Sequence, residues 1–395
     1  MVENINVNIS HAFYYPSGVF KSGEEFINAI KKRFESVEVY DEDMKFDDAN
    51  ISDMQIAQKF LRGGGQTYKV YRVFLKDLHL GDESKGPDKF CVMCSYFEES
   101  DIISLSFHYE MRGITSDEVI AIRQSGVHVG YEFADGNLSC AALATKIKDV
   151  LGLQNHTESS IMIEVTKFGD YDNLEKIEEE QSKLLYGMLS GDEGYEFVPD
   201  ELVKERLELN WGSRDFIRIY ACKEAFLFLN LLRTPRQKEY IDRQIQFGTA
   251  TYGGCNPYFF MEECPLTVNH GILFSVEFVM VLKALINEVL VFQTERRKNA
   301  HVSYYKRIKA TRDFRRKIIK VLEKVEQTQI AEIGELSAML LTSQHVAPII
   351  EEVKYLLELL EGDLSLIYSE RNNLLVTILT VLGLLLAVWQ VILAL

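Results

Sequence analysis

The chain is short of the features that mark secreted, disordered or metal-bound proteins. Seven prolines and 24 glycines in 395 residues are too few for a long disordered or collagen-like tract. The opening MVENINVNIS lacks a basic start followed by an apolar run, and it is not Arg-rich, so neither a secretory nor a transit signal is expected. Six cysteines (Cys91, Cys94, Cys140, Cys222, Cys255 and Cys264) are scattered, several of them inside apolar runs. That usage suits a reducing compartment, where such residues act as small buried hydrophobes. It places the body in the cytoplasm.

Catalytic signatures are scarce as well. The eight histidines are dispersed, with no HExxH, no His-x-Asp grouping and no GxSxG elbow. Cys91-Val-Met-Cys94 is a CxxC, but it falls in a strand-like run, where residues three apart point to opposite faces. No second CxxC follows it, so a core role is preferred over a metal or redox role. Gly63-Gly64-Gly65 is not followed by Lys-Ser/Thr and reads as a turn rather than a phosphate cradle. Glu98-Glu99 and Glu262-Glu263 read as surface charge, and His108 as an exposed residue on the polar face of a strand. No enzyme and no cofactor are expected, and no metal ligands can be named.

What is present is an ordinary globular balance, 47% hydrophobic and 26% charged, with length for two or three domains. The net charge of −16 is unevenly placed. Residues 295–324 hold twelve Lys/Arg against three acids, a local +9 that leaves about −25 elsewhere. An acidic body with one basic helix is not the pattern of a specific nucleic-acid binder. Arg296, Arg297, Lys298, Lys306, Arg307, Lys309, Arg312, Arg315, Arg316 and Lys317 are the candidate binding residues, interleaved with Tyr304, Tyr305 and Phe314. They suit a phosphate-bearing ligand or anionic lipid headgroups, and equally a solvated face pairing with the acidic body.

Residues 1–235 read as a mixed α/β body of α+β class. Ile103, Leu105, Phe107 and Tyr109 alternate with Ser104, Ser106 and His108, the period-2 signature of a half-buried strand. Further strands are expected over 68–74, 90–97, 161–165 and 216–229, and a surface helix over 170–189. From 236 to 345 the signals are helical and include the basic helix. The apolar run 272–292 carries Glu277, Lys283, Asn287 and Glu288. Each central charge would cost about 2.5–3.5 kcal/mol in a bilayer, so a buried soluble helix is expected there. His345 to Pro348 marks a break, because Pro suits the first turn of a new helix.

That new helix begins a stalk over 346–373. Val346, Ile350, Val353, Leu357, Leu360, Leu364 and Ile367 repeat at 4-3 spacing, the a/d pattern of a coiled coil. The seam serves packing within the chain or self-association of copies, and both readings stand. Residues 374–395 contain no Asp, Glu, Lys or Arg. At ~1.5 Å per residue they reach about 33 Å, enough for the ~30 Å hydrocarbon layer. Thr377 and Thr380 can bond back to their own helix, and Trp389 and Gln390 suit the far interface. The expectation is one C-terminal transmembrane helix, inserted late and leaving the body on the cytoplasmic side of the cell membrane.

Asn373, followed by Leu379-Thr380 on a stalk that leads into this apolar run, resembles the boundary signature of the CorA-type divalent-cation transporters. The order of α/β domain, helical stage and stalk is similar too, over roughly the last 120 residues in layout. The resemblance implies a homo-oligomer joined through the stalk, a divalent cation as partner, and a pore lined by the stalk-derived helix. Asn373, Thr377, Thr380, Gly383 and Gln390 are the pore-lining candidates. Two departures are plain: Trp389-Gln390 stands where the family has Gly-Met-Asn, and the second membrane helix has no counterpart. Some CorA-like proteins serve as membrane effectors of prokaryotic defence. The functional expectation is therefore an ion conduit or pore-forming effector, with a membrane-tethered binding or signalling module as the alternative.

Overall fold

The computed structural model describes residues 1–34, 37–40, 70–75, 89–98, 100–125, 131–133, 136–155, 157–223, 225–231, 270–298 and 331–394. It also describes positions 236, 239, 309, 312, 313, 315, 316 and 319. The strands are β1 (Ile5–Pro16), β2 (Val37–Tyr40), β3 (Val70–Leu75), β4 (Lys89–Phe97), β5 (Ile102–Ile114), β6 (Tyr131–Phe133), β7 (Gly136–Leu138), β8 (Glu158–Phe168), β9 (Asn210–Arg214), β10 (Ile217–Cys222) and β11 (Ala225–Asn230). The helices are α1 (Gly23–Arg33), α2 (Ser116–Ser125), α3 (Cys140–Leu151), α4 (Leu174–Glu180), α5 (Ser182–Ser190), α6 (Asp200–Glu208), α7 (His270–Lys298), α8 (Ala331–Ser343) and α9 (Val346–Ala394).

Nine strands form one sheet in the order β2-β3-β4-β5-β1-β8-β11-β10-β9. Every neighbouring pair is antiparallel except β8 and β11, which run parallel. Strand β1 lies at the centre. Its Ile5, Val7 and Ile9 alternate with Asn6, Asn8 and Ser10, a period-2 signal that the sequence carries in the very stretch screened above for a leader peptide.

Because successive strand residues face opposite ways, the sheet builds two cores. On one face Ile5, Val7, Ile9, Phe13, Val92, Cys94, Leu105 and Phe107 pack with α1, α2, α3, α4 and α5. On the other, Ala12, Tyr14, Phe97, Phe226 and Phe228 pack with α7, α8 and the foot of α9. Local signals fit these elements. Ser22 caps α1 by accepting from the Glu25 amide, Ser139 caps α3 in the same way, and Gly152 closes α3 in the left-handed conformation.

The α+β body is as expected, and several strand and helix positions agree to within a few residues. The expected surface helix over 170–189 is two helices, α4 and α5, meeting at Gln181. The 216–229 stretch is a hairpin, β10 and β11. The expectation that β5 is half-buried is corrected, because its residues 102–109 are buried on both faces. Helix α7 lies over the polar side. The triple glycine, Glu262-Glu263, Cys255 and Cys264 lie outside the described residues.

The transmembrane expectation is also corrected. Among the described residues, no helix is long and apolar enough to cross a membrane. The apolar end is not a separate span but the last part of α9, a 49-residue helix whose earlier turns carry Glu351, Lys354, Glu358, Glu361 and Asp363. The single-pass anchor, the cell-membrane location and the cytoplasmic placement drawn from them are withdrawn, along with the reading of the chain as an ion transporter. The reducing-compartment reading also meets an exception in Cys91, which is disulfide-bonded.

Candidate functional site, a buried polar layer and an exposed stalk

The sheet face beneath α7 is unusually polar. Hydrogen-bonded register lines up Arg72 of β3, Ser95 of β4, Ser104 of β5, Tyr14 of β1 and Glu158 of β8 in one row across five strands. The rows beside it add Met93, Ser106, Ala12 and Ser160, then Cys91, His108, Ser10 and Met162. Small side chains on this face leave room for a helix, and α7 brings Glu277 and Lys283 down onto it.

Both charges meet partners. Arg72 donates to both Glu277 carboxylate oxygens, from Nη1 at 3.0 Å and from Nη2 at 2.8 Å, and Nη1 also donates to Ser95 Oγ at 2.8 Å. The Arg72 and Glu277 side chains are only 2% and 4% exposed. The Arg72 guanidinium also stands 5.9 Å from the Phe97 ring centroid, within cation–π range. Lys283 Nζ lies 2.9 Å from Glu158 Oε2, and Asn287 Nδ2 donates to the other Glu158 oxygen. A third buried carboxylate, Glu164 on β8, accepts from Asn8 at 2.9 Å and from Asn230 at 2.7 Å.

Burial sets the protonation of this layer. His108 is 1% exposed, with Nε2 3.0 Å from Ser106 Oγ. Its pKa is lowered to about 3, first by burial and then by the charge of Arg72. The expectation of an exposed His108 is therefore corrected: the polar face of its strand is roofed by α7. His11, on the opposite face, is likewise lowered to about 3 by burial and then by Arg123. The Tyr14 hydroxyl is pushed well up by burial first and then by Glu277.

The CxxC splits between the faces as strand geometry requires. Cys94 is free, and burial drives its thiol far above the ordinary range, while Cys91 lies on the α7 side in register with His108. Burial also raises Cys140, to about 12, and Cys222, so these three thiols stay protonated at neutral pH. Among the described residues, no group of three or more His, Cys, Asp or Glu is placed to hold a metal ion. The layer is built of mutually paired charges. What it does physically is fasten α7 to the sheet.

Of the ten basic candidates, Arg296, Arg297 and Lys298 form the last residues of α7. Lys309, Arg312 and Arg316 are exposed and Arg315 is half-buried. Lys306, Arg307 and Lys317 lie outside the described residues. The residues that sequence reading missed (Arg72, Glu158, Glu164, Asn8 and Asn230) carried one signal, a polar side chain set inside an apolar strand run, as in Ile161-Met-Ile-Glu-Val165.

Helix α9 starts where expected. His345 takes a positive φ of 54°, and Pro348 sits in the first turn of the new helix. Val346 and Ile350 are 0% and 8% exposed in the second core, against α7 and α8. Beyond them the helix leaves the body. Leu374, Leu379, Leu384, Leu385 and Leu386 are 61–66% exposed, and every described side chain of 371–390 is exposed. Thr377 and Thr380 donate to the carbonyls of Asn373 and Val376 at 2.8 and 2.7 Å, the back-bonding anticipated from the sequence.

Because α9 is unbroken, its heptad register carries through. With Ile350 at a, the seam continues Arg371, Leu374, Ile378, Val381, Leu385 and Val388. Asn373, Thr377, Thr380, Gly383 and Gln390 fall at c, g, c, f and f. These pore-lining candidates therefore lie off the seam itself: Asn373, Thr380, Gly383 and Gln390, at c and f, are on the far side of the helix, and Thr377, at g, flanks the seam. A helix joined to copies through its seam turns that polar face away from the common axis. No known family, curated protein or solved structure matches the chain.

Proposed function

We propose that the chain is a self-associating, stalked binding or signalling protein, in which the α+β body receives a signal and α9 joins copies. The observation that carries this reading is the course of α9, which is rooted in the body's second core and then runs free for about 66 Å with an unbroken heptad seam. A long helix that leaves an apolar seam open to water is stable only when something covers it, and the cover is other copies of α9. The seam from Val353 to Val388 offers ten aliphatic a/d positions. At ~1.5–3 kcal/mol per buried side chain, their gross gain of roughly 15–30 kcal/mol per helix exceeds the ~4–15 kcal/mol cost of association. The similar layout of CorA-type proteins, which assemble through a stalk, supports the same direction.

The body's part is to set where the stalk points. Helix α7 is pinned to the sheet by two buried ion pairs and packs against the foot of α9, so a ligand that shifts α7 would be felt at the root of the stalk. The exposed cations Lys309, Arg312 and Arg316 favour a phosphate-bearing ligand.

Sedimentation of the full-length chain and of a variant with Leu357→Asp and Leu364→Asp tests the assembly. The parent is expected to sediment as one oligomer and the variant as a monomer with unchanged circular dichroism in the body. A monomeric parent, or a parent taken up by phospholipid vesicles as single copies, overturns the reading.

A further inference from the structure

The six cysteines are not used alike. Cys94, Cys140 and Cys222 are free, whereas Cys91 is disulfide-bonded, which leaves Cys255 or Cys264 as its partner by elimination. Both candidates stand in the sequence between the end of β11 and His270, where α7 begins. The bond therefore ties β4 to the chain that leads into α7. Free, buried thiols beside a single cystine are the usage of a chain that meets reducing conditions, where a cystine is characteristically reversible. We infer that the Cys91 cystine is a redox site exchanged by low-molecular-weight thiols, and that its opening loosens α7 at the root of the stalk. Thiol redox is then a signal that the body receives, an inference resting on the route from α7 to α9 proposed above.

The surroundings of Cys91 suit both of its states. Cys91 is 9% exposed and Cys94, on the same strand, is 0% exposed, so of the two only Cys91 is within reach of a small thiol. Across the strand pair Cys91 stands opposite His108, whose Nδ1 is buried with no hydrogen-bond partner among the described residues. Side chains directly opposite on antiparallel strands have Cβ atoms ~4.5–5.5 Å apart, which gives a reduced Cys91 S–H an acceptor close by. The exchange balances on thiols alone. A thiolate RS⁻ attacks one sulfur of the cystine, forms a mixed disulfide and expels the other cysteine as a thiolate. A second thiolate then attacks the small-molecule sulfur, giving RSSR and two protein thiols. The protein has taken up two electrons and two protons from two RSH. Cys94 and Cys140 do not intercept these steps, because burial keeps both thiols protonated and the thiolate is the attacking form. Opening leaves α7 held by its ion pairs, Arg72 with Glu277 and Lys283 with Glu158, but without the covalent tie ahead of its first turn.

The full-length chain can be equilibrated across a series of reduced-to-oxidised glutathione ratios, its free thiols alkylated, and the labelled positions found by peptide mass spectrometry. Cys91 and one of Cys255 and Cys264 are expected to become labelled together within the series, while Cys94 and Cys140 are labelled only after unfolding. Amide exchange along α7 should quicken about tenfold or more on reduction, with β1, β5 and β8 unchanged. Cys91→Ser should show the fast α7 exchange at every ratio, and Cys94→Ser should respond as the parent does. A free Cys91 under oxidising conditions, a cystine that opens only when the chain unfolds, or opening with unchanged α7 exchange overturns the redox site. Sedimentation of the same samples separates this inference from the assembly. A monomer whose α7 still responds supports the redox site and overturns self-association, whereas an oligomer whose α7 ignores glutathione does the reverse.

Discussion

Replacing Glu277 by Gln removes one negative charge from the layer beneath α7 while keeping the side chain's shape. Arg72 then keeps its positive charge at 2% exposure, with Ser95 Oγ still accepting at 2.8 Å but no carboxylate opposite. Breaking a buried pair from one side costs about 3–5 kcal/mol, because the remaining charge is desolvated and uncompensated. At about 2–4 °C per kcal/mol for a body of this size, the melting temperature should fall by roughly 6–20 °C. The double variant Arg72→Met with Glu277→Leu removes both charges and fills the space with apolar groups. It loses the Ser95 hydrogen bond, worth ~1 kcal/mol, and the cation–π contact with Phe97, and should still lie closer to the parent than the single variant does. The resulting coupling energy would be several kcal/mol. Urea unfolding followed by circular dichroism gives the cycle, and amide exchange along α7 shows whether the helix loosens. A Glu277→Gln variant within about 1 kcal/mol of the parent, or additive losses in the double variant, would show that the pair does not pin α7.

Three further outcomes follow. His11 and His108 are neutral when folded, with pKa values lowered to about 3, against 6.5 in the unfolded chain. The unfolded state therefore takes up protons first, and stability should fall as pH drops from about 6.5 towards 3, by ~1.4 kcal/mol per pH unit per histidine; above that window neither residue contributes. His11→Phe should remove one histidine's share of the slope, and equal slopes in parent and variant across pH 4–6 would refute the burial argument (~1.4 kcal/mol per unit is the scale). Gly212→Ala should destabilise the body by about 1–3 kcal/mol, since a Cβ there would meet the Ile217 carbonyl oxygen at 2.5 Å and strand backbone cannot yield cheaply; an unchanged melt would refute it. Glu164→Leu should cost about 1–3 kcal/mol by leaving the Asn8 and Asn230 amides without their acceptor, visible as a lower denaturant midpoint at unchanged slope.

The elements of this protein were set by short-range pattern. Alternation placed β5 and short apolar runs placed β3 and β4, charge inside the 272–292 run marked α7 as a soluble helix, and the His345–Pro348 break with the 4-3 seam placed the start of α9. These are properties of residues a few positions apart, and backbone geometry turns them into structure without reference to the rest of the chain. Which side of a strand is covered is not such a property. Ser104, Ser106 and His108 look like a solvent face, and only α7, some 170 positions later, makes them core. Arg72 and Glu277 are 205 residues apart, and neither has a local reason to be buried; the sheet order and the crossing of α7 bring them together. The same limit applied at the C-terminal end. The heptad spacing already read the apolar end as the outer part of the stalk helix, and composition read 374–395 as a membrane span; the structure keeps the one helix, and no described helix is long and apolar enough to cross a membrane. That register, together with where α9 is rooted, decided which faces meet a partner, because it depends on how the helix leaves the folded body and not on the residues alone.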